Sequence, residues 1–142
     1  MPRAVSIALV LSLTAACGDD HQHHHSAMDS LAEIDQSREA SSASYTVTVT
    51  PTPDPIPLND YFDLSTVVVD GAGAPVTDAT VNVDAAMPGH GHGMTVTPAT
   101  TSNNDGSYST PGMLFHMSGL WVITVSVTRE GATETVELNV VM

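Results

Sequence analysis

After residue 44 the chain alternates between apolar and polar positions in short bursts. Thr46-Val47-Thr48-Val49-Thr50 places Val47 and Val49 on one face, and the prolines at 51, 53, 55 and 57 end that run as an extended crossing. Tyr61 to Val69 puts Phe62, Leu64, Thr66 and Val68 on one face. Thr80 to Ala85 alternates again, and a short strand is expected around Thr95-Val96-Thr97. Trp121, Ile123, Val125 and Val127 share a face, as do Val136, Leu138 and Val140. Between these runs stand turn formers: Asp70 to Pro75, Asn103-Asn104-Asp105-Gly106 before Tyr108, and Arg129-Glu130-Gly131-Ala132. A period of two along nearly every run is the mark of strands with one wet face. About seven such strands in roughly 100 residues predict an all-β, immunoglobulin-like antiparallel sandwich over residues 44–142. Trp121 and Phe115 are expected as core plugs, and Tyr108 as a tyrosine-corner residue beside its turn.

The residues before 44 follow different rules. Arg3 supplies a positive start, Ala4 to Leu13 is an apolar stretch interrupted only by Ser6, and small Ala15 and Ala16 precede Cys17. The apolar stretch is too short for a bilayer core of ~30 Å, so a removable signal over residues 1–16 is the better reading. Cys17 is the chain's single cysteine, which leaves nothing for a disulfide. Leu13-Thr14-Ala15-Ala16-Cys17 resembles the bacterial lipobox, with leucine one position further upstream than usual. The resemblance implies a lipid on Cys17, and Gly18 after it implies the periplasmic face of the outer membrane. Residues 17–43 then read as a tether. It holds His21, His23, His24 and His25, a short amphipathic turn near Met28 to Glu39 carrying Leu31 and Ile34, and a linker over Ser41-Ser42-Ala43-Ser44.

Charge narrows the partners. Sixteen Asp and Glu stand against three Lys and Arg, a net charge of −13. Such a surface repels nucleic acid and anionic lipid head groups. Enzymatic motifs are missing: there is no nucleophile elbow, no phosphate-cradling glycine loop ahead of a helix and no HExxH helix. The chain is therefore expected to be no enzyme and to need no organic cofactor.

One segment does carry chemistry. In Met87-Pro88-Gly89-His90-Gly91-His92-Gly93-Met94, glycines surround two imidazoles and two thioethers bracket them. Glycine frees the backbone to fold those side chains about one point. Met113-Leu114-Phe115-His116-Met117 adds a third imidazole. Alternation there would put Met113, Phe115 and Met117 on one face and His116 on the other, so His116 and Met117 should not reach one ion together unless a bulge intervenes. Imidazole with thioether suits copper; calcium and magnesium want oxygen. Met87, His90, His92 and Met94 are the expected ligands, joined by His116 and Met117. The competing expectation is that the methionines are packing and the histidines exposed loop residues.

The order Met87-Pro88-x-His90-Gly91, Gly106-x-Tyr108, Phe115-x-Met117-x-Gly119-x-Trp121 resembles the YtkA-like/FixH-like domain, over roughly residues 60–128. The resemblance implies a small sandwich outside the cytoplasmic membrane. FixH-type members are associated with cation-pump and copper-oxidase assembly, which implies copper here. This chain departs from them in carrying a lipid anchor where they have an amino-terminal membrane helix. The expected function is thus a lipid-anchored periplasmic protein that binds or delivers copper without catalysis, its partners being the membrane through Cys17 and a copper acceptor or other envelope protein. The alternative is an envelope interaction module with no metal site.

Overall fold

The computed structural model describes residues 37–142. The signal peptide, Cys17 and the His21 to His25 tract lie outside the described residues. Nine strands follow in chain order: β1 (Glu39–Ser41), β2 (Tyr45–Thr52), β3 (Tyr61–Asp70), β4 (Thr80–Met87), β5 (His92–Gly93), β6 (Thr101–Ser102), β7 (Ser107–Leu114), β8 (Leu120–Arg129) and β9 (Ala132–Val141). They form two antiparallel sheets, ordered β1-β2-β3-β7-β6 and β5-β4-β8-β9. Among the described residues no helix is long and apolar enough to cross a membrane.

The alternation read from the sequence is the alternation of burial. β3 buries Phe62, Leu64, Thr66 and Val68; β8 buries Trp121, Ile123, Val125 and Val127; β9 buries Val136, Leu138 and Val140. These inward rows meet as one core between the sheets. Removing them from water is the main stabilising term, at ~25 cal/mol per Å² of apolar surface. The β8–β9 hairpin closes on Glu130 and Gly131, both at positive φ (52° and 83°), between the register pair Arg129 and Ala132. That is the twist a two-residue hairpin needs.

Three expectations fail locally. The sheet begins at Glu39, inside the stretch read as tether, because Glu39 to Ser41 pairs with Thr46 to Thr48 across a turn in which the Ser42 amide bonds to the Tyr45 carbonyl. A serine-rich turn inside a hairpin has the composition of a linker. No strand forms at Thr95 to Thr97; the pairing falls instead on His92–Gly93 and Thr101–Ser102. Third, Met117 does not continue the inward row of Met113 and Phe115: β7 ends at Leu114, and Met117 is exposed.

Tyr108 is buried at the far side of the core from the glycine–histidine loop. Its hydroxyl donates to the Val76 carbonyl at 2.8 Å, and burial pushes its pKa above the ordinary phenol value. The bond reaches 32 residues back, to the connection entering β4, whereas a tyrosine corner closes on backbone a few residues upstream.

Candidate functional site

One end of the sandwich collects the ends of β2, β4, β7 and β9 and the starts of β3 and β8. The three loops there span residues 53–60, 88–91 and 115–119. The 88–91 loop joins β4 to β5, with Met87 and His92 as its closing register pair. The Gly91 amide donates to the Met87 carbonyl at 2.9 Å and Gly91 takes φ 69°. Glycine is required at that point, because a side chain would be strained at this φ. The 88–91 loop is thus a tight turn.

The 115–119 loop is anchored from below. Trp121 is fully buried and stacks on Phe115, with ring centres 4.5 Å apart and planes 6° from parallel. Phe115 in turn meets Phe62 edge-on at 5.0 Å. The Trp121 indole N–H donates to the Met117 carbonyl at 2.9 Å. Gly119 exchanges two backbone hydrogen bonds with Met142, each 3.0 Å. Its φ is 128°, and a Cβ there would stand 2.9 Å from Met87 Cε. The loop therefore lies directly over Met87.

These two anchored loops bring three imidazoles together. The rings of His90 and His92 are 5.8 Å apart, and those of His92 and His116 are 5.2 Å apart. Trp121 forms the floor, its ring 6.2 Å from His92 and 5.5 Å from His116, both near edge-on. His92 Nδ1 lies 3.0 Å from the Gly93 carbonyl. A carbonyl only accepts, so Nδ1 carries the proton and the neutral ring keeps its lone pair on Nε2. A backbone acceptor fixing the tautomer in this way is the usual support of a metal-binding histidine. The Nδ1 of His116 is buried without a hydrogen-bond partner, and such an atom calls for an ion or water.

Of the six residues expected as ligands, His90, His92 and His116 are therefore gathered. The methionines are dispersed. Met87 is 1% exposed in the core, beneath the cluster. Met94 packs on the flank and lines a separate cavity of about 230 Å³ with Asn82, Asp84 and Val96. Met117 adjoins His116 in sequence and is 38% exposed. Two imidazoles that share an ion at ~2.0–2.1 Å from nitrogen hold their ring centres about 5 Å apart at a tetrahedral angle. The His92–His116 spacing already has that value, and His90 sits on a loop whose flanking Gly89 and Gly91 face open space. Among the described residues, no three His, Cys, Asp or Glu side chains form a group that could hold a metal ion. Trp121 is the member of the site that reading the sequence missed as such. Its place as a core plug was legible; its role as floor depends on which loops meet above it.

Comparison with known proteins supports the fold. A family model described as YtkA-like matches residues 39–126, from the first residue of β1 into β8. A crystal structure of a DUF4426 family protein from Pseudomonas aeruginosa PAO1 is similar at a TM-score of 0.52 and 13% identity, covering 73% of this chain and 94% of that one. At that identity the likeness is one of fold. No curated protein matches the chain.

Proposed function

The chain belongs to the YtkA-like family, and from that premise we propose that it is a lipid-anchored periplasmic protein that binds or delivers copper at the end of its sandwich. The lipid sits on Cys17, and residues 17–36 with their histidine tract span from the anchor to the domain. The observation that carries the metal reading is that His116, from a separate loop, joins the neighbouring pair His90 and His92, with ring centres 5.8 Å apart for His90 and His92 and 5.2 Å apart for His92 and His116. Three neutral imidazoles serve Cu(II), and the exposed thioether of Met117 offers a softer donor suited to Cu(I). Met87 and Met94 act as packing.

The test is a copper titration of the full-length protein in which His21, His23, His24 and His25 are serine, so that only the domain can bind. Trp121 is the chain's single tryptophan and adjoins two of the imidazoles, so its fluorescence reports a bound Cu(II) by quenching. One-to-one binding that withstands a competing chelator is expected. It should vanish in the His90→Ala, His92→Ala, His116→Ala triple variant while the β circular-dichroism signal stays. Undiminished binding by the triple variant, or none by the folded parent, would overturn the reading.

A further inference from the structure

The large apolar side chains left in water are not scattered. Among the described residues they are Leu58, Tyr61, Val67, Met117 and Leu120. All but Val67 lie at the histidine end. They are also connected. Leu58 lines a groove of about 320 Å³ with Ile56, Val141 and Met142, and Arg38, paired with Asp54, borders it. Val141 is the register partner of Leu120, and Met142 is bonded to Gly119 in both directions. Apolar residues thus follow one another from Leu58 through Met142 and Val141 to Leu120, and exposed Met117, next to His116, lies on the loop that leads into Leu120. An apolar patch that is exposed and beside a reactive cluster is the usual sign of a docking surface.

Charge decides what docks there. Among the described residues Arg38 and Arg129 are the only permanent cations, and each is held by a carboxylate: Arg38 by Asp54 at 3.1 Å, Arg129 by Asp78 at 2.9 Å. Asp60 and Asp63 are exposed beside Leu58 and Tyr61. A second copy would bring another charge of −13 against the first, and an anionic membrane would be repelled in the same way. We infer that the strip from Leu58 to Met117 docks a partner protein whose apolar patch is ringed by lysine and arginine, seated so that the imidazoles face it. What the docking delivers rests on the metal reading; the contact itself is apolar and electrostatic and does not need the ion. Complementary charge would act mainly on the rate of encounter, and salt would weaken it over a Debye length of ~8 Å.

The test uses a photo-crosslinking benzoylphenylalanine placed in the full-length protein, in the cells that make it, at Leu58, at Leu120 or at Val67. Expected is one discrete protein adduct from positions 58 and 120 and none from 67, with the partner's crosslinked peptide rich in Lys and Arg. Its yield should fall at least threefold in the Asp60→Asn, Asp63→Asn variant, which changes charge and keeps shape. The adduct should persist in the triple histidine variant. Persistence there, with copper binding absent from the parent, would sink the metal reading and leave the docking surface standing. Equal labelling from Val67, adducts to lipid, to a second copy or to residues 1–36 of the same chain, an acidic contact peptide, or loss of the adduct in the triple histidine variant would each overturn the inference.

Discussion

Removing the three histidines one at a time should not give three equal losses. His92 is common to both close ring pairs, 5.8 Å from His90 and 5.2 Å from His116. Truncating His90 or His116 leaves one pair; truncating His92 leaves none. Loss of a group that merely supports a ligand costs about 10- to 100-fold in metal affinity, and loss of a ligand costs at least that. His90→Ala and His116→Ala should therefore each weaken Cu(II) binding by about 10- to 100-fold, or ~1.4–2.7 kcal/mol. His92→Ala breaks both pairs and should cost more than either, about 100-fold or above. Dissociation constants come from chelator competition followed by Trp121 fluorescence, with thermal melting of each variant to confirm the fold. Between the milder two, His90→Ala should be the smaller loss, because His90 is exposed on a glycine loop while His116 rests edge-on against Trp121. A His92→Ala variant that binds as tightly as His90→Ala would refute the central placement of His92. Three variants all within about threefold of the parent would refute the shared site.

Other consequences concern stability. Tyr108→Phe leaves the Val76 carbonyl without its buried donor and should cost about 1–3 kcal/mol in urea denaturation; an unchanged midpoint would mean that water or relaxation replaces the bond. Gly119→Ala puts a Cβ 2.9 Å from Met87 Cε at a φ of 128° and should cost about 1–3 kcal/mol, whereas Gly89→Ala, which meets nothing within 4 Å, should melt like the parent. Hydrogen bonds from Ser42 and then Ser44 hold the Glu134 carboxyl below its ordinary 4.5. Because the folded value is the lower one, this tie between the β1–β2 turn and β9 is present above pH 4.5 and is lost as the pH falls through the folded value. Glu134→Gln should therefore lower the melting temperature slightly at neutral pH and leave it nearly unchanged below the folded value, so that the acid limb is flatter, read as melting temperature against pH.

How much of this was legible in the residues depends on the range of the interaction involved. Period-two burial is local and chemical, so β2, β3, β4, β8 and β9 can be read off the chain, as can the Glu130-Gly131 hairpin. The membership of β1 is not local. Glu39 to Ser41 is three polar or small residues, and only its pairing with β2 makes it a strand. The same holds for the histidine cluster. His90 and His92 announce themselves by their glycines. His116 looked separable from them because its strand was expected to run on through Met117. The strand stops at Leu114 instead, since Trp121 takes the Met117 carbonyl as its acceptor and turns the loop back over the core. Expected alternation would have buried Met117; the broken alternation exposes it and leaves His116 facing His92.

Core and site are therefore not independent layers at this end of the molecule. The face of Trp121 that stacks on Phe115 belongs to the packing that holds the two sheets together. Its edge region supports two imidazoles, and its N–H fixes the loop that carries one of them. Using the largest core side chain as the floor gives the histidines a rigid base on one side, while glycines leave His90 free to move on the other. Substituting Trp121 by Phe keeps most of the buried area yet deletes the bond to Met117. That change should loosen His116 against His92 and weaken Cu(II) binding more than it lowers the melting temperature. Calorimetric titration supplies the affinity, since the variant has no tryptophan to report. Equal affinity with an unchanged melt would mean that the 115–119 loop is held by its Gly119–Met142 pairing alone.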